Sequence, residues 1–440
     1  MVKLCNMSLE TANSKYPKLA IQWLTWLVTI LLAAGIVYNY LNDLGQVAFH
    51  IDESHWIATS NQFEAFLRFN PDLPIWDESH TTLTNPPVPR YAIAIGRLIG
   101  GYGEKDLNRM WDYDRNTNFN IKVGAMPSQG LLSWSRLPMA LMGIFTIGLV
   151  YLLLRRIGGD WFSLPWLVLA LTNPYLNLQL RRAMAESSLM FFSVLALVAC
   201  AQGIRLYTEH RNQGRFVLLA SGVFVGLAAS AKINAFAVLG GILVAITLLL
   251  WRQKGKFQNH IGGAGLAWAI VITSAIFTFW ASYPYLWANP VGRTIKMINN
   301  RVSEMSYQSG NRGDDAFENA AEKWMVMPQR IWADYAGVRF PGSLPLNLGL
   351  TLLGMGLLAQ RSFCWWKGNT HGAKSLVLLL VGVTASVPVA ATMLDWDRYY
   401  LYPVFFSLVY SAVAIGWLLQ SGTKWLGGRL ARSEVQQNPA

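Results

Sequence analysis

The stretch FHIDESHW, Phe49–Trp56, sets Asp52 and Glu53 side by side soon after an apolar run that ends at Leu41. Neighbouring carboxylates repel, which raises the pKa of one of them and suits it to accept a proton near neutrality. Further along, charges recur at the ends of apolar runs. LRRAMAESSLMFF supplies Arg181, Arg182 and Glu186, AASAKINAF supplies Lys232, and LDWDRYYLYP supplies Asp395, Asp397, Arg398 and Tyr399. Cations of this kind hold a phosphate leaving group and stabilise the charge it gains, while a carboxylate takes the proton of an incoming hydroxyl. Together they suit group transfer from a phosphorylated lipid.

Each residue also has a plainer reading. Lys232 and Arg398 equally fit span-end residues that reach for headgroups. Arg182 and Glu186 are four apart, so on a helix they share a face and pair. Asp52 also reads as a solvated loop acid, like nearby Asp72, Asp77 and Glu78.

The elements that must position these groups are membrane spans. Of 440 residues, 53% are hydrophobic and 14% charged, with mean hydropathy +0.29; soluble domains carry about a quarter charged residues. Apolar runs long enough to cross about 30 Å of hydrocarbon recur along the chain, and in lipid such runs must be helical. The sequence predicts an all-α polytopic membrane protein with about ten transmembrane helices. They run from Leu19 to Leu41, Leu131 to Leu154, Trp161 to Leu178, Met184 to Leu206, Phe216 to Ala231, Ile233 to Trp251, Ile261 to Tyr283, Leu344 to Ala359, Ser375 to Leu394 and Tyr399 to Leu419. The first follows a leader with Lys3, Lys15 and Lys18 and no small-residue cleavage site, the pattern of a retained signal anchor.

The net charge of +12 invites a nucleic-acid reading, but its distribution speaks against one. Arg155, Arg156, Arg205, Arg211, Arg252, Lys254, Arg361, Lys374 and Arg429 fall in alternate short loops or tails, where the acids are Glu10, Asp160, Glu209 and Glu434. By the positive-inside rule those segments and both termini are cytoplasmic. Two long segments, 42–130 and 284–342, then lie outside, and Asp52, Glu53, Glu186, Lys232 and Arg398 converge on one outward-facing cavity at membrane level. In the second segment Ile295, Ile298, Val302 and Met305 step by three and four among Lys296, Asn299, Arg301 and Glu304. That pattern fits an interfacial helix and equally a helix packed as a lid. The chain reads as one transmembrane domain over 1–440, with no soluble C-terminal domain. Cys5, Cys200 and Cys364 fall in the leader, a span and a short basic loop, which predicts no disulfide and no thiolate metal cluster.

Taken in order, these motifs resemble the GT-C glycosyltransferases, in particular the protein O-mannosyltransferase and aminoarabinose-transferase branch. FHIDESHW resembles the acidic motif of the first external loop, and NPPVPRYAIAIG the segment after it, with Asn85 in place of His. SRLPMALMGIFTIGLVYLLLRRIGG resembles the second span, RRAMAESSLMFF the Arg and second-acid motif, GLAASAKINAF the Gly-rich span ending in Lys, and DRYYLYP the late Arg-Tyr motif. The resemblance runs from Phe49 to Pro403. It implies a GT-C fold, a polyprenyl-phosphate-linked sugar donor, and inverting transfer to a hydroxyl of a protein, lipid or glycan acceptor. By position, Asp52 is the expected base with Glu53 beside it. Lys232, Arg398 and Arg182 are the expected donor-phosphate contacts, and Glu186, Arg181, Asp397 and Tyr399 the expected supporting residues.

No metal or other cofactor is expected to be required. Asp52, Glu53 and Glu186 offer oxygen ligands, but in no compact metal motif. The expected location is a bacterial inner (plasma) membrane, in contact with membrane lipids and without nucleic acid. The competing class is a transporter or lipid flippase, which the span count alone allows; such proteins place ionisable residues near the bilayer midplane in repeated halves, whereas here the charges gather at one membrane face.

Overall fold

A computed structural model describes residues 18–251, 257–311, 316–337, 342–366 and 372–437. The leader with Lys3 and Lys15, and Cys5 within it, lies outside the described residues. Among those described, the chain is helical apart from turns and one isolated antiparallel bridge, Ala316 to Leu394.

Seven described helices are long and apolar enough to cross a membrane: Gln22–Leu41, Gln129–Gly158, Ala185–Tyr207, Ile233–Trp251, Gly263–Ala281, Ala373–Ala391 and Asp397–Leu426. The protein is therefore an integral membrane protein. The three other expected spans are helical too but fall short of that standard. Arg211–Ala229 and Leu344–Trp366 are diluted by polar residues such as Arg211, Arg215, Asn347 and Arg361. The run from Trp161 to Leu178 is broken into Asp160–Thr172 and Pro174–Gln179. Pro174 disfavours helical backbone at the residue before it, and Asn173 caps the second piece by accepting from the Leu176 amide at 2.8 Å.

The C-terminal span is the axis of the bundle: 83% of its apolar window is buried, against 11% for the N-terminal one, which lies at the edge. Around it Trp166 is wholly buried, edge-on to Phe405 at 5.2 Å and donating its indole N–H to the Ile147 carbonyl. Two glycines permit close helix contacts. A Cβ at Gly354 would meet the Tyr410 carbonyl oxygen at 1.9 Å, and one at Gly96 the Trp134 carbonyl oxygen at 2.3 Å. The second contact presses the short Val88–Ile99 helix of the first long segment against the top of the Gln129–Gly158 span.

The helix ends at Arg155 and Arg361 lie at the opposite end of the bundle from Asp52. Arg155, in the last turn of Gln129–Gly158, stacks over Trp26, and Arg361 donates to the Ile157 carbonyl. Cys200 is a buried free thiol, whereas Cys364 is disulfide-bonded, against the sequence expectation. Its place in the sequence sets no limit on what it approaches in space.

Candidate active site

Asp52 and Glu53 open the Ile51–Ala58 helix. His50 caps it: its Nδ1 accepts from the Asp52 amide at 3.1 Å, and Glu53 Oε2 accepts from the His50 amide at 3.0 Å. Two acids in a first turn are also favoured by the helix dipole. Successive helical residues point about 100° apart, so the two carboxylates diverge. Glu53 turns into the protein, where Arg136 Nε and Nη2 donate to it at 2.7 and 2.6 Å and the Ala183 amide donates at 2.7 Å. Arg136 also donates to the Leu44 and Val47 carbonyls. Glu53 is fully buried and off the cavity, which corrects its expected catalytic place. The repulsion argument fails for the same reason, since the two groups face different surroundings.

Asp52 faces a cavity of about 770 Å³. Tyr113 donates its hydroxyl to Oδ1 at 2.9 Å, and the Arg398 guanidinium pairs with Oδ2. Arg398 precedes the axial helix and stacks over Trp396, 4.5 Å from the ring centre. Lys232, at the turn after the Arg211–Ala229 helix, pairs with Glu186 and lies 5.9 Å from the Tyr399 ring centre. The structure thus brings Asp52, Glu186, Lys232, Asp397, Arg398 and Tyr399 to the lining of one cavity.

Two expectations need correction. Arg182 and Glu186 do not pair: Met184 is extended and the helix begins only at Ala185, so Arg182 lies in the preceding turn. Its Nε donates to the Ala48 carbonyl at 3.2 Å, and it approaches Asp397 at 3.9 Å. Arg181 points away from the cavity, bonding the Asn42 carbonyl and Asn177 Oδ1.

The same lining holds residues whose role the sequence did not disclose. On the Pro290–Asn311 helix Arg301 donates to Glu304 at 2.7 Å and to the Tyr399 hydroxyl at 2.8 Å, while His80 and Gln308 bond Glu304 at 2.9 and 3.1 Å. The other side of that helix leaves Val291, Ile295, Ile298 and Val302 exposed. Asp395 is held by Arg330 at 2.7 Å and by the Tyr400 hydroxyl at 2.6 Å.

Among the described residues every carboxylate lining the cavity therefore has a cation: Asp52 with Arg398, Glu186 with Lys232, Glu304 with Arg301, Asp395 with Arg330 and Asp397 with Arg182. Burial and the charges of Arg398, Arg182 and Lys232 lower the pKa of His50 to about 3, so it is neutral at pH 7. Burial raises the Glu304 carboxyl, but the hydrogen bonds of His80 and Arg301 outweigh it and hold the group below its ordinary value. Among the described residues no three His, Cys, Asp or Glu side chains gather in an arrangement able to hold a metal ion. What remains is a hollow with a partly exposed carboxylate beside cations, the parts needed to position an anionic group and accept a proton.

Comparison with known proteins finds one family match and several similar folds. Residues 94–287 match the family described as dolichyl-phosphate-mannose-protein mannosyltransferase. No curated protein matches the chain. The fold is similar to that of the Archaeoglobus fulgidus oligosaccharyltransferase in its apo form, with a TM-score of 0.50 and 13% identity over 92% of this chain and 52% of that one. Similarity extends to the S. cerevisiae protein O-mannosyltransferase complex bound to the sugar donor, with a TM-score of 0.46 and 18% identity over 60% of this chain and 34% of that one. It extends also to ArnT from Cupriavidus metallidurans bound to undecaprenyl phosphate, with a TM-score of 0.47 and 14% identity over 89% and 60% of the two chains. The chain covers less than two thirds of the length of each. Residues 94–287 thus resemble the protein mannosyltransferase family, and the chain shares the helical fold of the archaeal oligosaccharyltransferase.

Proposed function

We propose that the protein is a glycosyltransferase that moves a sugar from a polyprenyl-phosphate donor to an acceptor hydroxyl. The observation that carries this reading is the meeting of Asp52, Lys232 and Arg398, far apart in sequence, at a single cavity. Asp52 accepts the proton of the acceptor hydroxyl as that oxygen bonds the anomeric carbon. The bond from that carbon to the phosphate oxygen breaks on the opposite face, which inverts the centre. The electron pair leaves with the phosphate, and Lys232 and Arg398 stabilise the charge it gains, with Arg182 set behind Asp397 rather than on the cavity lining. The family match over 94–287 supports the donor class.

The site is assigned to the extracytoplasmic face of a bacterial inner membrane, with both termini cytoplasmic; the cation-rich helix ends at Arg155 and Arg361, opposite Asp52, support this orientation. The donor reaches the cavity from the outer leaflet, the acceptor is a protein, lipid or glycan hydroxyl, and no metal is required. The test is to incubate purified protein with a labelled polyprenyl-phosphate sugar and cell-envelope acceptors. Release of free polyprenyl phosphate with label on the acceptor is expected, and accumulation of unmodified donor across proteoliposomes would instead mark a transporter.

A further inference from the structure

Among the described residues every acid lining the cavity is already paired with a cation, so an anionic phosphate that takes one of these cations must open one of the pairs. The structure ranks them. Glu186 is only 1% exposed and its Oε2 has no partner, so withdrawing Lys232 would leave a buried carboxylate uncompensated. Arg182 is itself buried and tied to the Ala48 carbonyl. Asp52 and Arg398 are 19% and 16% exposed on the cavity, and Asp52 keeps the Tyr113 hydroxyl if the arginine leaves. Arg398 can also change partner without losing its place over the Trp396 ring, which holds the guanidinium by its face and leaves its edge free to bond.

We propose that Arg398 changes partner during the cycle, bound to Asp52 in the empty site and to the donor phosphate in the loaded one, with Tyr113 holding Asp52 in position throughout. Donor arrival then unmasks Oδ2 of the base. The acceptor hydroxyl finds a free carboxylate oxygen only after the donor is seated, which makes binding ordered, donor first. This rests on the function proposed above and adds to it a dual role for Arg398, a positioning role for Tyr113 and an order of events.

The consequence is counterintuitive: removing the base should strengthen donor-phosphate binding. Undecaprenyl phosphate is titrated onto the purified full chain in nanodiscs, for wild type, Asp52→Asn, Arg398→Gln and the double variant. Asp52→Asn is expected to bind about tenfold more tightly, a change of about 1.4 kcal/mol, and that gain should vanish in the Arg398→Gln background. A gain that persists without Arg398 would mean that only general repulsion by Asp52 was relieved, and would overturn the exchange. So would unchanged or weaker binding by Asp52→Asn. Absence of binding to wild type would remove the donor reading itself, and the exchange with it. Thermal midpoints confirm that each variant is folded, and Asp52→Ser serves as a second removal of the carboxylate with the same expectations.

Discussion

Glu53 and Arg136 meet in a two-point ion pair, Oε1 to Nε at 2.7 Å and Oε2 to Nη2 at 2.6 Å, with neither side chain reaching solvent. Through the Ala183 amide and the Leu44 and Val47 carbonyls this pair joins the first long segment, the Gln129–Gly158 span and the turn carrying Arg182. Removing one partner of such a pair costs about 3–5 kcal/mol. Glu53→Gln and Arg136→Gln should each lower the thermal midpoint markedly. Circular dichroism melts should show Asp52→Asn nearer to wild type than either.

Asp52→Asn should abolish most transfer while leaving the fold intact. Loss of a general base lowers rates about 10²–10⁴-fold. Single-turnover assays with labelled donor measure this directly, and wild-type turnover by the variant would remove Asp52 from the reaction.

Lys232→Met should destabilise the protein because Glu186 would be left charged in a buried setting. Adding Glu186→Gln should restore much of the melting temperature, since both members of the pair are then gone. It should not restore donor binding. Melts and undecaprenyl-phosphate titrations on the single and double variants separate the two effects.

Acid should destabilise the first long segment. The imidazoles of His50 and His55 are lowered from 6.5 to about 3, each chiefly by burial, with Arg398 the next cause for His50 and Arg90 for His55. The unfolded chain therefore takes up protons first as pH falls. Their contribution to stability is full above about pH 6.5 and is lost progressively toward about pH 3. His50→Asn retains a capping side chain and should flatten part of this dependence. Thermal midpoints measured from about pH 7 to about pH 4 test the sign.

EDTA should leave transfer unchanged. Loss of activity that Mg or Mn restores would contradict the metal-free reading.

The membrane class and the gathering of Asp52, Glu186, Lys232 and Arg398 around one cavity were legible in the sequence, because all four sit at span junctions. Side-chain direction was not legible. Adjacency of Asp52 and Glu53 suggested cooperation, yet a helix start sends them apart. Four-residue spacing paired Arg182 with Glu186 only under the assumption of a helix that begins three residues later, at Ala185. Arg301 and Glu304 were visible as the polar face of an amphipathic segment, but that pattern is the same whether the face meets water or a cavity. The Asn173-Pro174 pair did carry a break signal inside an otherwise continuous apolar run.

The matching of each lining acid with a base has a further effect. Opposite charges a few ångströms apart cancel beyond about one Debye length, roughly 8 Å in physiological salt, so the hollow casts little field into its surroundings. Encounter with a lipid-borne substrate would then be governed by lateral diffusion within the leaflet rather than by long-range steering, and capture rates should respond only weakly to ionic strength.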